Sequence, residues 1–519
     1  MKLSKNARIV LEKRYLKKIK GKYEKPEAMF RRVAKNISKG SKKLEKEFYE
    51  VMTNLEFLPN TPTLRNAGRK LQQLAACFVL PVPDSIEGIF QSVKDLALIQ
   101  KTGGGTGFSF SRLRPEGSRV GETGGIASGP VSFMKVFDAA TAAIKEGGTR
   151  RGANMGILRV DHPDIIKFIT SKRNPNELTN FNISVALTNK FMQAVIKNKK
   201  YFLYNPHTKR HEGKLNAKKV FDLLCHMSWL NGEPGVIFID TINKFNPIPK
   251  EKIEAVNPCS EQPLLPYESC VLGSINLTKF IKNKKIDYNR LKQVINIAVN
   301  FLDNVIDKNK YPTPKIEKIT KLNRKIGLGL MGWADLLIKL KIPYDSNKAI
   351  KLAEKLMKFI ATEARNVSIE LGKRKGSFPN FKKSIYFRKY KYLRNATLTT
   401  IAPTGTLSLI ANCSSGIEPV FSKTFYHNVM EHTKLYEKRK GKFKTAHEIK
   451  PEKHIQMQAA FQKYTDNAIS KTVNLKKTAT VSDIKKIYLL AYKLGSKGIA
   501  VYREKSRSLQ VLNICKACK

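Results

Sequence analysis

Apolar residues recur at helical spacing in three segments of the chain. Ile9–Ile19 has the pattern of an amphipathic helix, and Pro26–Ile37 begins with a proline suited to a first helical turn. In Leu352–Leu371 the apolar positions lie three and four residues apart, and Gly372 follows as the expected stop. The pattern predicts a helix in each segment and a helical region over residues 1 to about 55.

Residues from about 56 to 160 show a different pattern, in which short apolar runs alternate with dense glycine. "CFVLPV" begins at Cys77 and "GFSFSRL" at Gly107, and each has the composition of a buried strand. Ala396–Ile401 has the same character and leads into "APTGTLSLIAN". Strands that alternate with helices predict an α/β fold with parallel pairing. Because we find no internal repeat and no long linker, we expect one large catalytic domain.

The charge of the chain narrows the choice of partners. Its 519 residues include 96 Lys and Arg against 42 Asp and Glu, which gives a formal charge of +54. Such a charge favours polyanions: nucleotides, RNA, DNA or acidic surfaces. The lysines are spread along helical patterns, so we expect a solvated lysine-rich surface and no dedicated nucleic-acid partner. A dedicated nucleic-acid face is the alternative.

The sequence also limits the compartment. No apolar run is long enough to span a bilayer, and the N-terminal segment is charged throughout, unlike a signal peptide. The seven scattered cysteines do not resemble a disulfide framework; in a reducing compartment such cysteines are buried, catalytic or metal-bound. We therefore expect a cytoplasmic enzyme or binding protein with no membrane partner.

Two cysteines lie close together in "VNPCSEQPLLPYESCVLGSIN". Cys259 has Asn257 and Glu261 beside it, and Cys270 follows eleven residues later. A neighbouring carboxylate raises the pKa of a thiol, which argues against a thiolate nucleophile. The arrangement suits a sulfur that carries a hydrogen atom while the carboxylate takes a proton from the substrate. Asn257 can orient that carboxylate or bind a substrate hydroxyl.

A thiol that acts as a two-electron reductant needs a second thiol. Cys270 has none nearby in its motif, but Cys77 on its strand-like run can meet it in space. Cys515 and Cys518 form a CxxC at the end of the chain, which suits a redox pair or a metal. A zinc site would require two more ligands, and because no second CxxC or HxxxH pair supplies them, we favour the dithiol and predict no metal site.

Three loops are candidates for nucleotide contacts. Ala402–Ser408 follows a strand and is expected to open a helix, whose first N–H groups bind anions while Gly405 permits close approach; a capped turn is the alternative. Lys101–Phe110 is rich in glycine but is not a Walker A sequence. Arg150 and Arg151 lie in "EGGTRRGANMG", which is either a base- or phosphate-contacting loop or a surface turn.

Several long motifs, in one order, resemble the large subunit of ribonucleotide reductases. They are "PTLRNAG", "CFVLPVPDS", "KTGGGTGFSFSRLRP", "NPCSEQPLLPYESCVLGSINL", "KIGLGLMGWAD" and "IAPTGTLSLIANCSSGIEPVF". The likeness runs from about Leu3 to Leu512. The spacing of the two cysteines and the GGGTG and APTGT variants resemble the adenosylcobalamin-dependent class II. Adjacent tyrosines of the di-iron class and the RxxGY-like segment of the glycyl-radical class are absent from the sequence.

The resemblance implies a fold and a division of the chain. The fold is a ten-stranded α/β barrel with a central finger loop, preceded by a small helical region. Residues 1–58 would form that region, 59–505 the barrel with its effector loops, and 506–519 a redox tail. The implied reaction is the reduction of ribonucleotides, expected to be diphosphates, to 2′-deoxyribonucleotides for DNA synthesis.

The resemblance also assigns catalytic roles. Cys259 would be the thiyl radical that abstracts the ribose 3′ hydrogen, Glu261 the base on the 3′ hydroxyl, and Asn257 a hydrogen-bonding residue of the same site. Cys77 and Cys270 would supply two electrons and end as a disulfide.

The remaining roles concern the tail and the nucleotide sites. Cys515 and Cys518 would re-reduce the disulfide and be recycled by a thioredoxin-like partner. The matching substrate-contacting positions are Thr63, Ala76, Gly105, Pro403, Thr404, Gly405, Thr406 and Leu407. The matching positions for deoxynucleotide or ATP effectors are Asp84, Arg114 and Arg150. A homodimer is a further expectation.

The sequence departs from the family pattern at two positions in these motifs. Residue 76 is Ala where Ser is common, and residue 260 is Ser where Gly is common. Two other hypotheses are kept. One is a ribonucleotide reductase of another radical class with a partner subunit, and the other is a non-catalytic nucleotide- or RNA-binding relative.

Overall fold

The computed structural model describes residues 1–121, 124–144, 152–430, 433–507 and 512–514. The first elements are α1 Lys5–Arg14, β1 Lys18–Ile19, β2 Lys22–Tyr23, α2 Pro26–Ile37, α3 Lys42–Thr53, β3 Phe57–Pro59 and α4 Thr61–Asn66. The predicted helix Pro26–Ile37 is confirmed at both ends. The predicted helix Ile9–Ile19 is wrong beyond Arg14, because β1 turns back onto β2 through Lys20 and Gly21, which both have positive φ.

The rest of the chain alternates strands and helices. The strands are β4 Cys77–Pro81, β5 Gly105–Ser109, β6 Asn154–Arg159, β7 Phe181–Leu187, β8 Lys200–Tyr204, β9 His211–Asn216, β10 Gly235–Phe238, β11 Ala255–Val256, β12 Pro263–Leu264, β13 Ser269–Asn276, β14 Ile281–Lys282, β15 Lys285–Ile286, β16 Ile326–Met331, β17 Thr424–Met430, β18 Thr433–Lys438, β19 Thr472–Leu475, β20 Gly498–Arg503 and β21 Leu512–Ile514. The helices are α5 Ile86–Gln100, α6 Gly129–Ala143, α7 Ile165–Thr170, α8 Asn189–Ile196, α9 Ala217–Asn231, α10 Ile239–Lys244, α11 Tyr288–Lys308, α12 Pro314–Asn323, α13 Trp333–Lys339, α14 Asn347–Lys375, α15 Gly405–Ala411, α16 Pro451–Gln462 and α17 Val481–Lys493.

The large sheet has ten strands, nine of them in the order β16-β13-β4-β5-β6-β7-β10-β20-β19, with β3 beside β13. β4, β5, β6, β7 and β10 are parallel to one another, and the sheet changes direction at the antiparallel pairs β13–β4 and β10–β20. Two parallel bridges, Leu328 with Thr399 and Ile401 with Ile469, join β16 to the segment that leads into β19. These bridges close the sheet into a ring, which confirms the predicted α/β barrel.

The prediction that Gly372 ends the outer helix α14 is wrong. The helix does not stop there but continues to Lys375, and Gly376 with φ +82° follows it. A Cβ on Gly372 would lie 2.8 Å from the backbone nitrogen of Leu393, so this glycine permits the segment before the barrel strand to cross the helix closely. In the part of the chain that the structure describes, no helix is long and apolar enough to cross a membrane.

A finger loop fills the inside of the ring. β11 and β12 pair with each other, and residues 257–262 form the tip between them. A Cβ on Gly107 would lie 1.9 Å from the carbonyl oxygen of Val256, so β5 accommodates the finger only because this position lacks a side chain. At this position the glycine-rich segment therefore packs closely against the protein's own finger loop.

Candidate active site

The finger tip is a tight turn held by one asparagine. The backbone N–H of Gln262 donates to Oδ1 of Asn257 at 2.9 Å, and that of Ser260 donates to the Asn257 carbonyl at 2.9 Å. Ser260 has φ +66°, a left-handed conformation that costs an L-residue about 1–2 kcal/mol and that glycine adopts freely. This backbone requirement explains why glycine suits position 260.

Cys259 is the exposed residue of the tip. Pro258 before it rests against Gly105 of β5, where a Cβ would lie 3.1 Å from the proline ring. The side-chain amide of Asn182, on β7, donates to the Pro258 carbonyl at 2.9 Å. Two barrel strands thus fix the backbone that carries Cys259 while its side chain stays accessible.

The two cysteines predicted to form a redox pair face each other. Cys77 opens β4, Cys270 lies near the start of β13, and the two are direct partners in the antiparallel ladder. Directly opposed residues have Cα atoms about 4.5–5.5 Å apart, within the range that a disulfide spans. Nδ2 of Asn257 lies 3.1 Å from Sγ of Cys77, which connects this pair to the finger tip.

Both thiols of this pair are neutral at ordinary pH. Burial raises the pKa of Cys77 well above its usual value, and the nearby Glu261, Cys270 and Cys259 raise it further. Burial likewise raises the pKa of Cys270. Neutral thiols can release hydrogen and electrons together, as the sequence argument requires.

Glu261 is a buried carboxyl that is poised to exchange a proton. Burial raises its pKa from 4.5 to about 7, although a hydrogen bond with Asn257 opposes the rise. Its Oε2 has no hydrogen-bond partner among the described residues. Since an unpaired buried acceptor is costly, this atom is available to a ligand hydroxyl.

The predicted substrate positions fall in three places. Ala76 and Gly105 lie beside the finger tip, where the Gly105 N–H donates to the Ala76 carbonyl at 3.0 Å. Pro403 and Thr404 precede α15, and Gly405 to Leu407 form its first turn, with Gly405 exposed and Thr404 in the left-handed region. Thr63 lies on α4, and its hydroxyl donates to the Leu74 carbonyl at 3.0 Å.

Tyr15, which the sequence did not indicate as a site residue, joins two of these places. The hydroxyl of Tyr15, in the N-terminal region, hydrogen-bonds to Thr406 and, at 2.8 Å, to Thr61 at the start of α4. The segment before α15 is also attached to the finger, because the Thr400 hydroxyl donates to the Glu261 carbonyl at 2.8 Å. Tyr15 lies 391 residues from Thr406, so no local pattern announces the contact.

Two of the predicted effector residues are in contact. Arg114 donates through its backbone N–H and its Nε to the Asp84 carboxylate, both at 3.0 Å, and Nδ1 of His207 lies 3.1 Å from the same carboxylate. Arg150, Cys515 and Cys518 lie outside the described residues.

Comparisons with known proteins place this geometry in a family. Residues 1–72 match the family model described as "Ribonucleotide reductase, all-alpha domain", and residues 75–393, 389–438 and 426–502 match "Ribonucleotide reductase, barrel domain". The chain is 49% identical over 504 residues to a vitamin B12-dependent ribonucleoside-diphosphate reductase of Thermoplasma acidophilum, covering 90% of this chain and 66% of that protein. A relative of the same name from Mycobacterium tuberculosis is 45% identical over 511 residues, covering 91% and 74%. A vitamin B12-dependent ribonucleotide reductase of Streptomyces coelicolor is 30% identical over 583 residues, covering 90% and 60%. The chain thus spans about two thirds of the length of these relatives.

Proposed function

Because the chain belongs to the ribonucleotide reductase family, we propose that it reduces ribonucleoside diphosphates to 2′-deoxyribonucleotides with adenosylcobalamin as cofactor. The observation that carries the proposal is the meeting of Asn257 with Cys77, opposite Cys270, at the tip that also holds Cys259 and Glu261. The names of the relatives favour the cobalamin class and a diphosphate substrate.

The residues at the tip fit this cofactor. The side chain of Cys259 is exposed, as a thiol must be to receive a radical from a bound cofactor, and this residue would face it. Adenosylcobalamin, when bound, supplies that radical by homolysis of its cobalt–carbon bond. The protein positions the groups and excludes side reactions.

The radical half of the reaction uses the finger tip. Cys259 takes the hydrogen atom from C3′ of the ribose, and Glu261 accepts the proton of the 3′ hydroxyl through the carboxylate. Asn257 hydrogen-bonds within the same site and holds the turn. A base with a pKa of about 7 is matched to neutral pH.

The reducing half uses the cross-strand pair. The hydroxyl on C2′ takes one hydrogen from the thiol pair and leaves as water, C2′ receives the other hydrogen, and Cys77 and Cys270, having given up two electrons, form a disulfide. The hydrogen atom then returns from Cys259 to C3′. Cys515 and Cys518 re-reduce the disulfide and are recycled by a thioredoxin-like dithiol.

The nucleotide sites complete the proposal. The substrate contacts are Thr63, Ala76, Gly105 and the Pro403–Leu407 loop, whose backbone would hold the phosphates. Deoxynucleotide or ATP effectors bind where Asp84 meets Arg114, with Arg150 in a loop that responds to them. We place the enzyme in the cytoplasm as a homodimer.

The deciding experiment adds adenosylcobalamin, dithiothreitol and a ribonucleoside diphosphate to the purified single chain. We expect deoxyribonucleotide product, and we expect Cys259→Ser to abolish turnover while nucleotide binding persists. Cys225→Ser is the matched control, since this cysteine is buried on the outer helix α9. A requirement for a second, di-iron subunit would overturn the cofactor assignment, and appreciable turnover by the Cys259 variant would remove it from the radical role.

A further inference from the structure

A buried ion pair lies directly behind Cys270. The thiol of Cys270 is 3.7 Å from the carbonyl oxygen of Lys325, which immediately precedes β16, the parallel neighbour of β13. Nζ of Lys325 lies 2.6 Å from Oε2 of Glu268, two residues before Cys270, and both side chains are only 1% exposed.

Hydrogen bonds hold this pair in place. The Leu265 N–H donates to Oε2 of Glu268 at 2.7 Å, and Nδ2 of Asn323 donates to its Oε1 at 2.6 Å. Nδ2 of Asn380 in turn donates to Asn323 at 2.8 Å. Glu268 is therefore fully engaged, and the ammonium of Lys325 is fixed at the start of two adjacent strands.

The two sulfurs face different charges. Cys77, 5% exposed, faces Glu261, Cys259 and the amide of Asn257. Cys270 is fully buried, which raises its pKa; among the charges near it, Lys325 lowers this pKa, and Glu268 and Glu261 raise it. Lys325 is the positive group that favours a thiolate on Cys270, whereas the carboxyl and the thiols around Cys77 disfavour one there. The less buried sulfur is also the one that an incoming thiol can reach.

We propose that Lys325 is a positioning residue that makes Cys270 the leaving thiolate when the Cys77–Cys270 disulfide is re-reduced. This inference rests on the dithiol role in the proposed function. A thiolate of the reductant attacks Sγ of Cys77, the Cys77–Cys270 bond breaks, and its electron pair leaves on Sγ of Cys270 beside Lys325. The second thiol of the reductant then attacks its own sulfur in the mixed disulfide and releases Cys77. Two protons from the reductant end on the two cysteines.

The ion pair is a poor source of stability by itself. Two charges lose their hydration when buried, and replacing such a pair by neutral residues of similar size is often tolerated. Removing only one partner leaves an unpaired charge and costs far more. The informative variant is therefore the double substitution Lys325→Met with Glu268→Gln.

The test follows the disulfide directly and needs no cofactor. The chain is oxidised, reduced with dithiothreitol for timed intervals, alkylated and analysed by mass spectrometry of the Cys77 and Cys270 peptides. We expect the double variant to be reduced severalfold more slowly, because Lys325 lowers the pKa of Cys270 by more than Glu268 raises it and a leaving thiol of higher pKa departs more slowly. Lys325→Arg should retain the wild-type rate. The control is Lys172→Met with Glu233→Gln, which removes another buried pair, 2.6 Å apart, before β10 on the other half of the barrel; Arg507, which also pairs with Glu233, is 39% exposed in its side chain and can be solvated by water.

A second measurement uses the unaltered chain. Treating the oxidised protein with the monothiol glutathione should place the mixed disulfide on Cys77 and leave Cys270 open to alkylation. A mixed disulfide on Cys270, or an unchanged reduction rate in the double variant, overturns the inference while the proposed function stands. Absence of a Cys77–Cys270 disulfide in the oxidised wild type would contradict the dithiol role and the inference with it.

Discussion

At the scale of single residues, the burial of Glu261 affects both the stability of the folded chain and its proposed role as a base. Burial holds its pKa near 7, so between pH 4.5 and 7 the folded chain binds a proton that the unfolded chain has released. The folded state therefore loses stability from this group as the pH rises through that window. The same burial places the carboxyl where it changes between acid and base at neutral pH.

Glu261→Gln should reveal this coupling. Because glutamine does not titrate, the variant should gain roughly 3 kcal/mol of unfolding free energy relative to wild type between pH 4.5 and pH 8. Urea unfolding of both proteins at the two pH values measures it. Turnover should be lost in the variant, and in wild type it should rise with pH around a midpoint near 7. A stability difference that is the same at both pH values would contradict a carboxyl buried in this way.

At the scale of elements, the hydrophobic pattern predicted those helices and strands whose burial follows a regular period within their own segment. The helix Pro26–Ile37 and the strand from Cys77 were readable because each buries one face or both with a regular period. The prediction that Gly372 ends the helix was wrong because glycine is needed there for another reason. It allows the backbone of Leu393, from a later segment, to pack against the helix. The glycines of β5 likewise owe their identity to the finger loop, and no neighbouring residue in the sequence signals it.

Gly107→Ala tests the contact between β5 and the finger. The added methyl carbon would overlap the Val256 carbonyl, which is backbone and cannot rotate away, so the finger must shift. Since a displacement of about 1 Å at a catalytic group can cost a hundredfold in rate, we expect at least that loss in turnover. Gly121→Ala is the control, because an added Cβ there meets no atom of the described residues within 4 Å. Wild-type turnover in the Gly107 variant would show that the finger does not need this fit.

At the scale of the whole molecule, ring closure joins groups that are remote in sequence. Alternating strands and helices predicted an α/β fold, but the ten-stranded ring followed only from the family resemblance. Closure depends on the bridges of Thr399 and Ile401, which lie in the segment Ala396–Ile401 that the sequence predicted as a buried strand; what the sequence did not reveal is which strands this segment joins. The meeting of Cys77 with Cys270 was predictable from their chemistry, because a reducing thiol needs a partner. Lys325 was not, since a lone lysine in a lysine-rich chain carries no signal.

The end of the chain is also held by a distant element. β21, Leu512–Ile514, pairs with β17 of the β17–β18 hairpin, with Phe425 opposite Ile514. β21 lies within residues 506–519, the segment predicted to be a redox tail, and Cys515 follows it in the sequence. A tail anchored in this way would relay electrons from a large partner, whereas a small dithiol can enter the barrel unaided.

Cys515→Ser should separate the two routes. We expect turnover supported by thioredoxin and its reductase to fall to background, because a single Cys518 cannot deliver two electrons as a dithiol. Turnover supported by dithiothreitol should stay near the wild-type rate, since the small reagent reaches the barrel disulfide directly. Steady-state assays with each reductant measure both rates, and Cys225→Ser, a buried cysteine of α9 to which the proposed reaction gives no role, serves as the control. Equal loss with the two reductants would instead give the terminal cysteines a structural role.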